Sequence, residues 1–239
     1  TAAAPTGAVT RGTGTLRAQL ALAATHRPFV RLLTCFVIQA VGIGMMLAGV
    51  QYFADHVLGR PAAGSVLFAC FVGPALLVMP LWTRFGRRAG KLPGYLAASG
   101  CFALGGLALA AAPALPTVAV YLCTALVGVG YAGQQAFALA MLPDTVADAA
   151  RRTGRRQAGV FTGLWTAGET LGLALGPGVF GVLLQLTGYL PSTGGEPVPQ
   201  PAGARVAILV GFTAVPAVLM LLGLLPLRGY PRAPTTVED

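Results

Sequence analysis

Six apolar stretches, each long enough to cross a lipid bilayer as a helix, constrain this chain more than any other feature. They run over about 29–54, 62–83, 92–111, 114–142, 158–187 and 206–227. A hydrocarbon core of about 30 Å needs roughly 20 apolar residues in a helix. Within that core the backbone must satisfy its own hydrogen bonds, which leaves helices and closed barrels. Barrel strands would alternate polar and apolar residues over about ten positions, and these runs do not. Pro74, Pro80, Pro177 and Pro216 lie inside them, which membrane helices tolerate. Only 10% of the residues are charged, against about 25% in a soluble domain, so a soluble fold would lack the polar surface to cover itself. The expectation is an all-α integral membrane protein: one domain of six transmembrane helices over 29–227, between tails at 1–28 and 228–239. The first tail has no apolar core, so a cleavable signal peptide is not expected.

The connections test the span count independently. Arg11, Arg17, Arg27 and Arg31 precede or open the first span. Arg84, Arg87, Arg88 and Lys91 follow the second, Arg151, Arg152, Arg155 and Arg156 follow the fourth, and Arg228 and Arg232 follow the sixth. The intervening connections hold only Arg60 and Arg205. This alternation matches the positive-inside rule and predicts that both termini are cytoplasmic, in a cell (inner or plasma) membrane. The net charge of +9 lies in short clusters between apolar runs, which suits a membrane surface and not a nucleic acid.

Few residues could carry chemistry. Glu169 falls eleven residues into the fifth span, roughly 16 Å along a helix and so near the bilayer midplane. A carboxylate there is costly unless protonated, paired or facing water. The functional reading is a proton or solute site; the alternative is a protonated side chain bonded to a neighbouring helix. Trp165 and Thr166 lie one turn earlier on roughly the same face. Gln134 and Gln135 in the fourth span, Tyr131 one turn before them and Gln39 in the first are polar groups in hydrocarbon. They contact solute in a wet cavity or join helices to one another. Gly159, Gly163, Gly168, Gly172 and Gly176 form a small-residue stripe in the fifth span. Such a stripe packs against another helix or lines a groove.

Asp144 and Asp148, one turn apart beyond the fourth span, repel each other, and a helix C-terminus disfavours them further. The adjacent Arg151, Arg152, Arg155 and Arg156 are expected to compensate, forming with Arg84, Arg87 and Arg88 a cytoplasmic charge network that holds one conformation. No His or third carboxylate is near them in sequence, so no metal site is expected. His26 and His56 fall at opposite membrane faces, and no phosphate loop, GxSxG or HExxH occurs. Cys35, Cys70, Cys101 and Cys123 sit in apolar runs without CxxC spacing and read as small apolar fillers. Neither an enzyme nor a cofactor is expected.

Two segments resemble a known family. Thr83-Arg84-Phe85-Gly86-Arg87-Arg88 is similar to the D-R-x-G-R-R loop signature of the major facilitator superfamily, with Thr83 at its acidic position. More specific is Leu142–Gly159 followed by Leu171–Pro177, which resembles the glycoside–pentoside–hexuronide:cation symporter, or melibiose-carrier, branch. There a D-x-x-x-D segment precedes T-G-[KR]-R-x-x-G and an L-G-x-A-[LI]-G-P helix. Asp144, Asp148, Thr153, Gly154, Arg155, Arg156, Gly159, Leu171, Gly172, Ala174, Gly176 and Pro177 occupy those positions. His26-Arg27-Pro28-Phe29 resembles the N-R-P-F opening of that branch's seventh helix. Where many members carry a lysine before L-G, this chain has Thr170, preceded by Glu169.

The resemblance covers nearly the whole chain as the C-terminal six-helix half of a twelve-helix carrier. It implies a secondary active transporter working by alternating access, with symport of a sugar or related small molecule with Na+ or H+. Its partners would be the bilayer, the solute, and an N-terminal six-helix half or a second copy. The competing readings are a self-contained six-helix channel or homodimeric carrier, a lysolipid carrier, and a non-transporting membrane scaffold.

Overall fold

The computed structural model describes residue 21 and residues 23–154, 158–191 and 198–230. Among them the regular structure is entirely helical. Helix α1 spans Arg27–His56, α2 Ala63–Leu77, α3 Met79–Ala89, α4 Lys91–Leu109, α5 Thr117–Thr153, α6 Ala158–Leu186, α7 Ala202–Phe212 and α8 Ala214–Leu222. Short 3-10 turns follow α4 and α8. Five helical stretches are long and apolar enough to cross a bilayer: α1, α4, α5, α6 and the segment Ala202–Leu227 containing α7 and α8. A sixth is the pair α2–α3, which bends by 50°.

That bend has a local cause. Pro74 inside α2 and Pro80 at the start of α3 each lack a backbone N–H and crowd the preceding turn. At the other extreme α5 runs eleven residues beyond the apolar stretch expected to end at Leu142, passing through Pro143, Asp144 and Asp148. It stops at Gly154, whose backbone adopts φ 66°, the left-handed geometry of a helix C-terminus that glycine adopts without steric cost.

Helices α1 and α5 occupy the middle of the bundle. Helix α6 and the α7–α8 segment pack on α1, while α2 and α4 pack on α5, and α4 also meets α8. With lipid on the outside there is little hydrophobic force between helices, so close van der Waals packing must hold them. The glycine stripe of α6 divides at this point. Gly168, Gly172 and Gly176 face α1 so closely that a Cβ on Gly172 would lie 2.7 Å from the Ala40 Cβ, and one on Gly176 2.5 Å from the Gly44 carbonyl carbon. Gly159 and Gly163 face open space. They line, with Thr162, Thr166, Ala167, Thr170, Leu171 and Ala174, a broad shallow groove along the outside of α6.

The contacts at the two ends agree with the charge alternation. At one end Arg31 Nη1 donates to the Gly229 carbonyl at 2.6 Å and Lys91 Nζ meets Asp144 Oδ2 at 2.6 Å. At the other, Arg60 Nη1 donates to Thr117 Oγ1 at 3.3 Å and His56 Nε2 lies 3.3 Å from Tyr189 OH. The described basic clusters thus gather at one end of the bundle.

The α1–α6 crossing generates the first prediction. Gly176→Leu forces the two backbones apart, at about 1–3 kcal/mol for overpacking. Thermal unfolding in detergent should show a lowered Tm, whereas Gly163→Leu on the open face should leave it nearly unchanged.

Candidate solute pathway and charged end

The polar side chains within the spans form two groups. The first is fully enclosed. Gln39 on α1 donates through Nε2 to Ser99 Oγ at 3.2 Å on α4 and to the Met220 carbonyl at 2.9 Å on α8. Its Oε1 accepts from Tyr95 OH on α4 and from Gln134 Nε2 on α5, the latter at 3.0 Å. Tyr95 OH also accepts from Cys35 Sγ at 3.5 Å. Gln39, Tyr95, Ser99 and Gln134 have no exposed surface. Of the two readings of Gln39 and Gln134, this geometry gives hydrogen bonding between helices.

The second group is half-buried and bridges α5 and α6. Gln135 Nε2 donates to Tyr131 OH and to Glu169 Oε1, each at 3.3 Å. Glu169 is partly exposed, and no described Lys, Arg or His pairs with it. One turn earlier Trp165 is buried and stacks on Phe36 of α1, centroids 4.2 Å apart. Thr166 is exposed on the open face of α6. The enclosed atoms Gln134 Oε1, Gln135 Oε1 and Trp165 Nε1 have no hydrogen-bond partner among the described residues. Such groups cost about 1–3 kcal/mol each when left unpaired in a dry interior. Helix α6 is also little enclosed, with 22% of its most apolar window buried against 56% in α1.

The expected charge network takes a different shape from the one the sequence suggested. Asp148 Oδ2 accepts from Arg152 Nε at 2.8 Å and from His26 Nε2 at 3.1 Å, and Oδ1 lies 3.4 Å from Arg151 Nη2. His26 also caps α1, its Nδ1 accepting from the Phe29 N–H at 3.3 Å. With Nδ1 an acceptor, the neutral ring carries its proton on Nε2, which then donates to Asp148. Asp144 is held by Lys91, and neither Arg151 nor Arg152 pairs with it. Arg84, Arg87 and Arg88 are exposed and make no ion pair with any described residue. Arg155 and Arg156 lie outside the described residues, as do Arg11, Arg17 and Arg232.

Sequence reasoning passed over four residues that the structure brings into these groups: Tyr95, Ser99, His26 and Lys91. The first two were detectable, as polar residues one turn apart in an apolar helix. The pairings of His26 and Lys91 carried no signal, because their partners lie 122 and 53 residues away in sequence.

Partial burial would raise the Asp148 carboxyl, but the hydrogen bonds from His26 and Arg152 and the Arg152 charge outweigh it and hold it below its ordinary value. Nearby, burial and the carboxylates of Asp144 and Asp148 push the Tyr230 phenol up to about 12. A depressed carboxyl contributes stability that is complete above the unfolded value, about 3.9, and is lost as pH falls through the folded one. Asp148→Asn should therefore lower Tm at neutral pH and reduce its fall on acidification, as measured by thermal unfolding across an acid pH series.

Relatives of this chain point in the same direction as its fold. The uncharacterized symporter sll1374 of Synechocystis is 26% identical over 215 residues, covering 89% of this chain and 40% of that protein. The uncharacterized symporter YnaJ of Bacillus subtilis is 26% identical over 208 residues, covering 86% of this chain and 43% of that protein. The chain thus spans less than half the length of these curated relatives. The profile of the family described as MFS/sugar transport protein matches residues 3–232. A multi-pass helical bundle with a polar group between two of its spans, matched by that profile along almost its entire length, belongs to the MFS/sugar transport family of membrane transporters.

Proposed function

We propose that this bundle is the C-terminal half of a secondary active symporter in the cell membrane, with both termini cytoplasmic. It carries a sugar or related small solute together with Na+ or H+. The observation that carries the reading is the group Tyr131–Gln135–Glu169. It is a carboxylate near mid-span, half open, bonded among the described residues only to a neutral amide and one turn from an indole N–H that has no partner among them. An intramembrane carboxylate without a fixed countercharge suits a group that exchanges a proton or cation during transport. Support also comes from the relatives, both of which are named as symporters.

In such carriers two six-helix halves rock about a central site near the midplane. Here α5 and α6 would form one wall of that site. Tyr131, Gln135, Trp165 and Glu169 would face the solute, with Thr166 beside them on the open face of α6. The enclosed Gln39 cluster would hold the wall rigid behind them. Asp144 and Asp148 with Lys91, His26, Arg151 and Arg152 would fix one end of α5 as the halves move. The opposing wall would come from a second six-helix half or a second copy of this one.

The test is uptake by the full-length protein in proteoliposomes, screened with labelled sugars under an imposed Na+ or H+ gradient. Glu169→Gln should abolish gradient-driven accumulation, bringing internal solute down to the equilibrium level, while solute exchange at equal concentrations persists. Undiminished accumulation by the variant would remove Glu169 from coupling.

A further inference from the structure

Helix α3 bears three cations for which the described protein supplies no anion. Arg84, Arg87 and Arg88 are spaced i, i+3 and i+4 and so share one face. All three are exposed, and none pairs with Asp144 or Asp148, whose partners are Lys91, His26, Arg151 and Arg152. Where the resembling loop signature has an acid, this chain has Thr83, and its hydroxyl donates to the Pro80 carbonyl of its own helix at 2.8 Å.

Beside the arginines on the helix surface lie Leu81, 64% exposed, and Phe85, 39% exposed. The opposite face is anchored. Trp82 Nε1 donates to the Val129 carbonyl at 2.9 Å, and its ring meets Phe137 edge-on. Rotation about the helix axis is thereby fixed, with arginines and apolar side chains both outward. The depth follows from length. Counted from Ala63, a hydrocarbon core of about 30 Å is crossed in roughly twenty residues, so Arg84 to Arg88 emerge at headgroup level while Leu81 is still among acyl chains. The 50° bend after Leu77 inclines α3 away from the axis of α2.

We infer that the outer face of α3 is a binding site for an anionic glycerophospholipid, with Arg84, Arg87 and Arg88 on the headgroup phosphate and Leu81 and Phe85 against the acyl chains. The guanidinium fork matches phosphate oxygens in pairs of hydrogen bonds, and the aliphatic stems of the arginines can lie along apolar surface while their heads reach the interface. A free phosphate would satisfy the charges but leave Leu81 and Phe85 without an apolar partner. A lipid satisfies both.

The test uses the full-length protein purified in a neutral detergent. Thermal unfolding is followed on adding phosphatidylglycerol, phosphatidylcholine or inorganic phosphate. Phosphatidylglycerol should raise Tm saturably and less so at high salt, and the other two should not. Each arginine near a charged lipid surface contributes roughly fivefold in affinity, so Arg84→Gln/Arg87→Gln/Arg88→Gln should weaken the lipid titration on the order of a hundredfold. The triple variant's lipid-free Tm should stay close to that of the parent, since these side chains have no described ion-pair partner. Equal stabilisation of parent and triple variant by phosphatidylglycerol would overturn the site. So would equal stabilisation by inorganic phosphate, which would reduce it to an anion site, or indifference of the parent to lipid headgroup, which would leave the arginines to a carboxylate elsewhere in the full-length protein.

Discussion

Gln39 ties together four of the membrane helices. Its one amide donates to α4 and α8 and accepts from α4 and α5. In water such bonds would be exchanged for solvent at little net gain, but in hydrocarbon the unbonded amide has no substitute partner. The helices α1, α4, α5 and α8 are therefore held in one rotational setting by the fully bonded amide of Gln39. Glycine contacts then set how near the outer helix α6 approaches, as at Gly44 and Gly176.

This rigid centre gives the second polar group its character. Gln135 and Glu169 sit on the flanks of the two helices that Gln134 and Gly172 fix in place. The neighbours Gln134 and Gln135 are one residue apart and so point about 100° apart around α5. One enters the locked cluster and the other turns toward α6. A single helix thus contributes both to the scaffold and to the proposed solute wall. Its extension past Leu142 carries the same rigidity to Asp144 and Asp148, where Lys91 and His26 join it to the starts of α4 and α1.

Much of this was legible beforehand. Run length predicted an all-α bundle of spanning helices, and the structure has five or six of them, although the helices overrun two of the apolar stretches, α3 reaching Ala89 and α5 Thr153. The partners did not follow. Tyr95 and Ser99 share a face by spacing, yet nothing in the spacing says that this face meets Gln39 and not lipid. The glycine stripe looked continuous, but the structure packs Gly168, Gly172 and Gly176 against α1 and leaves Gly159 and Gly163 open. The arginines of α3 looked like part of the acidic network, but among the described residues Asp144 and Asp148 pair without them.

The sequence alone determined that the chain must be a bundle of membrane helices and on which end its charges gather. Those properties follow from transfer free energies, which add along a chain residue by residue whatever the neighbours are. Only the tertiary structure decided which polar residues lock the bundle and which remain open between α5 and α6. A hydrogen bond in hydrocarbon is made by a particular pair of atoms, and which pair meets is set by the crossing of helices far apart in sequence.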